Sequence, residues 1–244
     1  AGSCYSGMFR GCTSLTQAPE LPATTLKNSC YDSMFYGCTA LTQAPELPAT
    51  TLASDCYDSM FYDCSSLTQA PVLPATTLAD YCYYNMFYNC TALTQAPELP
   101  ATTLTNNCYY NMFRNCTSLT EAPELPATTL ANYCYYGMFY LANKLNWIKA
   151  LFTTTPSTSY TQSWVNGVSA KGVFVKSIDA DWTDTGAHSV PPEWKIIYYD
   201  KRISLEVFHV LTDGTGASIF LATLVGEYLK LLGASFSYNE TVLD

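Results

Sequence analysis

The sequence predicts a solenoid in which short helices and short parallel strands stack coil upon coil. Three observations predict it. Cys4, Cys30, Cys56, Cys82, Cys108 and Cys134 follow one another at a step of 26 residues, and Cys12, Cys38, Cys64, Cys90 and Cys116 keep the same step. The segment between the cysteines is nearly copied each time, as in L-T-Q-A-P-E-L-P-A-T-T-L from Leu41 to Leu52. Hydrophobic residues make up 48% and charged residues 13% of the 244, which describes a packed chain and not a disordered one. A fixed period in the twenties means that each unit buries its face only against its neighbours.

Within the unit 26–51, residues 28–38 are predicted to wind as a short helix. At about 100° per residue, Cys30, Tyr31, Met34, Phe35 and Cys38 share an arc of roughly 140°. Asn28, Ser29, Asp32, Ser33, Tyr36 and Gly37 fill the opposite side, and Thr24 or Thr25 stands where a helix cap belongs. The helix is about three turns long and in part tighter than an α-helix. After Cys38, the chain reads T-A-L-T-Q-A-P-E-L-P, with Leu41, Ala44 and Leu47 as the inward positions of a strand. Pro45 and Pro48 cannot donate to a ladder, so strands of only about three to four residues are expected. The P-A-T-T turn leads back to the next helix.

The repeat fails at Ala142, where the second cysteine column ends. The solenoid is therefore assigned to residues 1–152. A β-rich cap is assigned to 153–199, anchored by Trp164, Phe174, Trp182 and Trp194; without a cap the last repeat would expose its stacking face. Residues 200–244 read as a strand-helix extension, the strand at 202–211 and the helix at 217–232, ended by Gly233. One strand and one helix make no core of their own, so the extension is expected to dock on the cap or on a partner subunit, giving a homo-oligomer.

Several function classes are disfavoured. Both halves are acidic, with 5 basic and 10 acidic residues in 1–150 and 6 and 10 in the remainder, so nucleic acid is a poor partner. No apolar run is long enough for a membrane span; the longest, Ile219 to Leu232, is interrupted by Glu227 and Lys230. The chain opens inside a repeat, at A-G-S-C-Y, as a processed fragment does, so the missing signal sequence carries no information. The two histidines, His188 and His209, stand in unrelated contexts, and no phosphate loop or G-x-S-x-G occurs, so no catalytic residue or cofactor is assigned. Asp179, Asp181 and Asp184 miss the spacing of a calcium loop and read as a polar turn. Both cysteine columns fall on the buried arc, where thiols behave as small hydrophobes. Bridges such as Cys30–Cys38 or Cys38–Cys56 remain open in an exported protein, and the uniform spacing argues against zinc.

Because the core is copied so closely, the columns that vary carry the information about ligands. One reads Ser6, Asp32, Asp58, Tyr84, Tyr110, Tyr136, and another Arg10, Tyr36, Tyr62, Tyr88, Arg114, Tyr140. Between them runs Gly7, Ser33, Ser59, Asn85, Asn111, Gly137, and Tyr81 and Tyr133 adjoin the patch. Tyrosine offers rigid contact area with a hydroxyl, and Ser, Asn and Gly are its usual companions on adaptable binding surfaces. Tyr36, Tyr62, Tyr84, Tyr88, Tyr110, Arg114, Tyr136 and Tyr140 are therefore the candidate binding residues. A second surface runs along the strand side: Glu20, Glu46, Glu98 and Glu124 form an acidic column broken by Val72.

The recurring M-F-x-x-C-T-S/A-L-T-Q-A-P-E-L-P-A-T-T-L-A-x-x-C-Y resembles the BspA-like leucine-rich repeats of Bacteroidetes-type surface proteins, over about residues 1–142. Ser163–Lys176 and Val190–Ile197 resemble the β-rich cap that closes such arrays. The resemblance implies a leucine-rich-repeat solenoid on an extracellular or cell-surface protein, used for adhesion or ligand binding and not for catalysis. Its partner would be a host or cell-surface protein or glycan. A structural or receptor-binding part of a larger assembly, such as a phage tail fibre, is the alternative.

Overall fold

A computed structural model describes residues 2–199. The strand, helix and oligomer contact expected of residues 200–244, and His209 with them, lie outside the described residues.

The described residues contain no helix, which corrects the expectation for 28–38 and its copies. These segments are runs of overlapping turns. Cys30, Met34 and Cys38 donate their amides to the carbonyls of Lys27, Tyr31 and Phe35 at 3.2, 3.2 and 3.0 Å. Each such turn carries a left-handed residue third in line: Ser29, Ser33 and Gly37, at φ of 56°, 54° and 72°. That is where a type II turn requires positive φ. The amides between them reach across to the next coil. Tyr31, Ser33, Phe35 and Gly37 donate to the carbonyls of Cys56, Asp58, Met60 and Tyr62 at 3.0, 2.8, 3.0 and 2.7 Å.

The backbone thus alternates between closing its own turn and pairing with its neighbour, and the buried groups find partners. Side chains follow a four-residue pattern: two inward (Cys30, Tyr31), two outward (Asp32, Ser33), two inward (Met34, Phe35), two outward (Tyr36, Gly37). A helical partition assigns the same residues to the same sides over so short a run, which is why the two look alike from sequence. Thr24 and Thr25 have no helix to cap.

The expected short strands also contract. In the array, the strand side pairs through isolated parallel bridges, Gln17 with Gln43, Gln43 with Gln69 and Gln69 with Gln95. Leu41 and Leu47 are buried as expected, but Ala44 is only half-buried and Pro45 is buried beside it. The prolines keep the ladder from growing past one bridge.

Inside each coil the copies stack into columns. Tyr31, Tyr57, Tyr83, Tyr109 and Tyr135 lie 5.8–6.0 Å apart, centroid to centroid. Phe9, Phe35, Phe61, Phe87, Phe113 and Phe139 lie 5.6–5.8 Å apart. The cysteines from Cys30 to Cys134 are buried thiols. In the second column, Cys38, Cys64, Cys90 and Cys116 donate Sγ–H to the carbonyls of Phe9, Phe35, Phe61 and Phe87 at 3.1–3.2 Å. Burial pushes these thiols up, Cys64, Cys90 and Cys116 well above their ordinary range; Cys56 and Cys134 of the first column rise to about 12. They are poor nucleophiles and serve as packing.

The same ladder continues past Ala142. Tyr135, Gly137, Phe139 and Leu141 donate to the carbonyls of Tyr160, Gln162, Trp164 and Asn166 at 2.8–3.1 Å. Trp164 takes the place of the next aromatic, 6.1 Å from Tyr135 and 6.2 Å from Phe139. On the strand side the pairing now lengthens into a parallel sheet of β1 (Trp147–Ala150), β2 (Val173–Ser177) and β3 (Lys195–Tyr199), in that order. The register pairs Trp147 with Val173 and Val173 with Lys195. Trp164, Trp182 and Trp194 are buried, and each indole donates to a backbone carbonyl: Ser189 at 2.9 Å, Phe152 at 3.4 Å and Ser169 at 2.8 Å. Gly172 lies where any Cβ would collide with the Asn146 carbonyl and the Trp194 ring.

Candidate functional site

The outward positions of the turn ladder bring the candidate residues together in two parallel stacks. The first is continuous over six coils. Arg10 lies over the Tyr36 ring at 4.3 Å, Tyr36 on Tyr62 at 4.6 Å, and Tyr62 on Tyr88 at 4.4 Å. Arg114 then lies between Tyr88 and Tyr140, at 5.3 and 4.3 Å from their centroids. The second stack holds Tyr84, Tyr110 and Tyr136 at 4.5 and 4.4 Å. Tyr81 tilts against Tyr84 at 5.7 Å and Tyr133 meets Tyr136 edge-on at 6.2 Å; both are largely exposed.

All eight candidate residues are half-buried. The rings face one another, so their faces are consumed by stacking, while edges and hydroxyls form the surface. The guanidinium groups take ring positions as planar cations over π-faces. The interior of each stack is ordered, because Tyr36, Tyr62, Tyr88 and Tyr110 are each held by a planar group on either side. Crowding leaves an electrostatic mark. Burial, followed by Tyr88 and Tyr36, pushes the Tyr62 hydroxyl up to about 12; burial followed by Tyr84 and Tyr136 pushes Tyr110 higher still. These phenols are neutral donors and acceptors at physiological pH.

The column Gly7, Ser33, Ser59, Asn85, Asn111, Gly137 has a backbone explanation that its composition alone did not reveal. Every member sits at positive φ, between 50° and 63°. Ser, Asn and Gly are there because the left-handed region favours them. Asparagine adds a ladder: Asn111 Nδ2 donates to Asn85 Oδ1 at 3.1 Å, and in the next left-handed column Asn115 donates to Asn89 and Asn89 to Asp63, both at 2.7 Å. The first ladder ends at Gly137, where a Cβ would collide with Asn111 Oδ1.

Ahead of Tyr84, the same outward column is acidic. Asp58 accepts from Ser59 Oγ at 2.6 Å, and Asp32 from Ser33 Oγ at 2.7 Å and Ser6 Oγ at 3.3 Å. Burial, joined by repulsion from Asp32 and Asp55 and opposed by the Ser59 hydrogen bond, pushes the Asp58 carboxyl up to about 7. Burial, with Asp32 and Asp80, raises Asp55 as well. The array therefore presents an acidic end and a tyrosine end on one face.

Among the described residues, no group of three or more His, Cys, Asp or Glu is placed to hold a metal ion. No helix there is long and apolar enough to cross a membrane. The His188 carbonyl accepts from Thr161 Oγ1 at 2.6 Å, within the packing under Trp164.

A family model of the BspA type leucine rich repeat region matches residues 3–120 in six copies. Neither the curated proteins nor the solved structures yield a match.

Proposed function

We propose, from an array that belongs to the BspA-type leucine-rich repeats over residues 3–120, that this protein is a non-enzymatic binding scaffold working at a cell surface or outside the cell. The solenoid is a rigid display surface, and its partner is a host or cell-surface protein or glycan. The observation that carries the reading is the pair of outer stacks: Tyr36, Tyr62, Tyr88, Arg114 and Tyr140 beside Tyr84, Tyr110 and Tyr136. A surface already ordered by stacking loses little side-chain entropy when a partner arrives. Because the ring faces inside the stacks are occupied, contact along them is made through hydroxyls and ring edges. That favours a polar protein surface over a sugar laid flat on an aromatic face.

The test is a binding screen against host proteins and glycans, run on the parent chain and on a triple variant with Tyr84, Tyr88 and Tyr110 changed to serine. Circular dichroism first establishes that the variant keeps the parent's fold. Loss of the parent's hits supports the assignment. A folded variant that keeps every hit removes the tyrosine face from the function.

A further inference from the structure

A second surface lies on the P-E-L-P segments, away in the chain from the tyrosine stacks. Pro45 and Leu47 are buried while Glu46 between them is exposed, and the same pattern holds at Pro97, Glu98 and Leu99. The outward glutamates form a rail, and successive P-E-L-P segments enclose shallow clefts. One, of about 390 Å³, is walled by Pro19, Pro22, Pro45 and Pro48 and holds Glu20 and Glu46. Another, of about 440 Å³, is walled by Pro97, Pro100, Pro123 and Pro126 and holds Glu98 and Glu124. Between them a smaller cleft of about 290 Å³ shares Glu46 and holds Val72, a residue 78% exposed where the other copies place a carboxylate.

One rung of the rail is already paired within the molecule, where the Leu125–Ala150 bridge sets Lys149 beside Glu124. Lys149, on the coil that follows, sets its Nζ 2.9 Å from Glu124 Oε2 and 3.9 Å from the centre of the Tyr199 ring. Among the described residues this is the one ion pair, so Glu20, Glu46 and Glu98 present carboxylates that no cation of the described chain neutralises. Proline rings suit the aliphatic stems of lysine and arginine, which cover apolar surface while the charged head reaches an acid.

The spacing fixes the register of an occupant. Taking coils at about 4.8 Å, Val72 lies roughly 7 Å from the middle of each acidic cleft, and the two clefts lie roughly 14 Å apart. An extended chain advances about 6.7 Å in two residues and about 13.4 Å in four. We propose that the glutamate rail docks an extended basic segment of a partner protein, with lysine or arginine at positions i and i+4 and an apolar residue at i+2.

The probe is a pair of synthetic peptides of identical composition and charge in a Ser/Thr background. One carries lysines four residues apart with leucine midway; the other carries them three apart with leucine outside the pair. Titration calorimetry on the full chain should show the first binding at least about tenfold more tightly. The Glu46→Gln, Glu98→Gln double variant, altered only at exposed positions, should lose at least about tenfold in affinity for it. The tyrosine triple variant should bind it like the parent, which separates this surface from the tyrosine face. Equal affinity for the two peptides would reduce the rail to general attraction by an acidic protein. Unchanged affinity of the double variant, or no binding of either peptide, would overturn the proposal.

Discussion

The repeat array and the coils that follow it share one hydrogen-bonded ladder on the turn side but differ on the strand side. In the array, strand pairing stops at single bridges such as Gln43 with Gln69. In β1, β2 and β3 it extends over four or five residues. The sequences explain the difference. The array places Pro45 and Pro48, and their copies, within the strand-side segment, whereas W-I-K-A, V-F-V-K-S and K-I-I-Y-Y contain no proline and several β-branched or aromatic residues. The array is therefore held together by turns and by aromatic columns, and the final coils by a sheet. The two regions should respond to different perturbations.

The largest effect belongs to the columns. Phe87 is fully buried between Phe61 and Phe113, at 5.6 Å from each. Phe87→Ala should cost about 3–5 kcal/mol by denaturant titration. Phe9→Ala, at a half-buried site with one stacking neighbour, should cost clearly less. Equal costs would mean that the columns do not carry the array. Next is the sheet: Val175→Pro, at the middle of β2, should cost about 3 kcal/mol by removing a ladder donor between two strands. A negligible cost would mean that the strands add little.

The smallest of the three is a pH effect confined to the array. Asp58 has its carboxyl pushed from an ordinary 3.8 to about 7 in the fold, chiefly by burial. The folded state then holds the proton more tightly than the unfolded one. Stability is full below about pH 4 and declines as pH rises through 7. Asp58→Asn should therefore gain roughly 1 kcal/mol over the parent at pH 8, allowing for screening, and nothing at pH 4. A gain of equal size at both values would place the effect elsewhere.

Much of this was legible in the sequence, because a strict repeat turns columns of the alignment into columns of the structure. The buried Cys, Tyr, Met, Phe and Leu columns follow directly from the 26-residue step. So does the grouping of Tyr36, Tyr62 and Tyr88, since identical positions on neighbouring coils must lie side by side. The helix did not survive. Periods of 3.6 and 4 differ by about 10° per residue, too little to separate over eleven residues. The signal that could have separated them was present: Ser29, Ser33 and Gly37, then Asp55, Ser59 and Asp63, then Asn107, Asn111 and Asn115 recur at every fourth position. Those are residues that tolerate positive φ, and helix interiors do not ask for them. Composition also hid how the tyrosines use their faces on one another, and that Arg10 and Arg114 continue the stack, because ring orientation depends on coil spacing.

Ser33 offers the most direct test of the turn ladder. It sits mid-segment at φ 54°, its hydroxyl donates to Asp32, and the equivalent positions in other coils include Gly7 and Gly137. Ser33→Gly and Ser33→Ala both lose that hydrogen bond, so the difference between them isolates the backbone. Their unfolding free energies should rank glycine above alanine, by about 1 kcal/mol, because alanine is strained in the left-handed region. A helix would reverse the order by a similar amount. Alanine more stable than glycine at this position would contradict the ladder and the surface built on it.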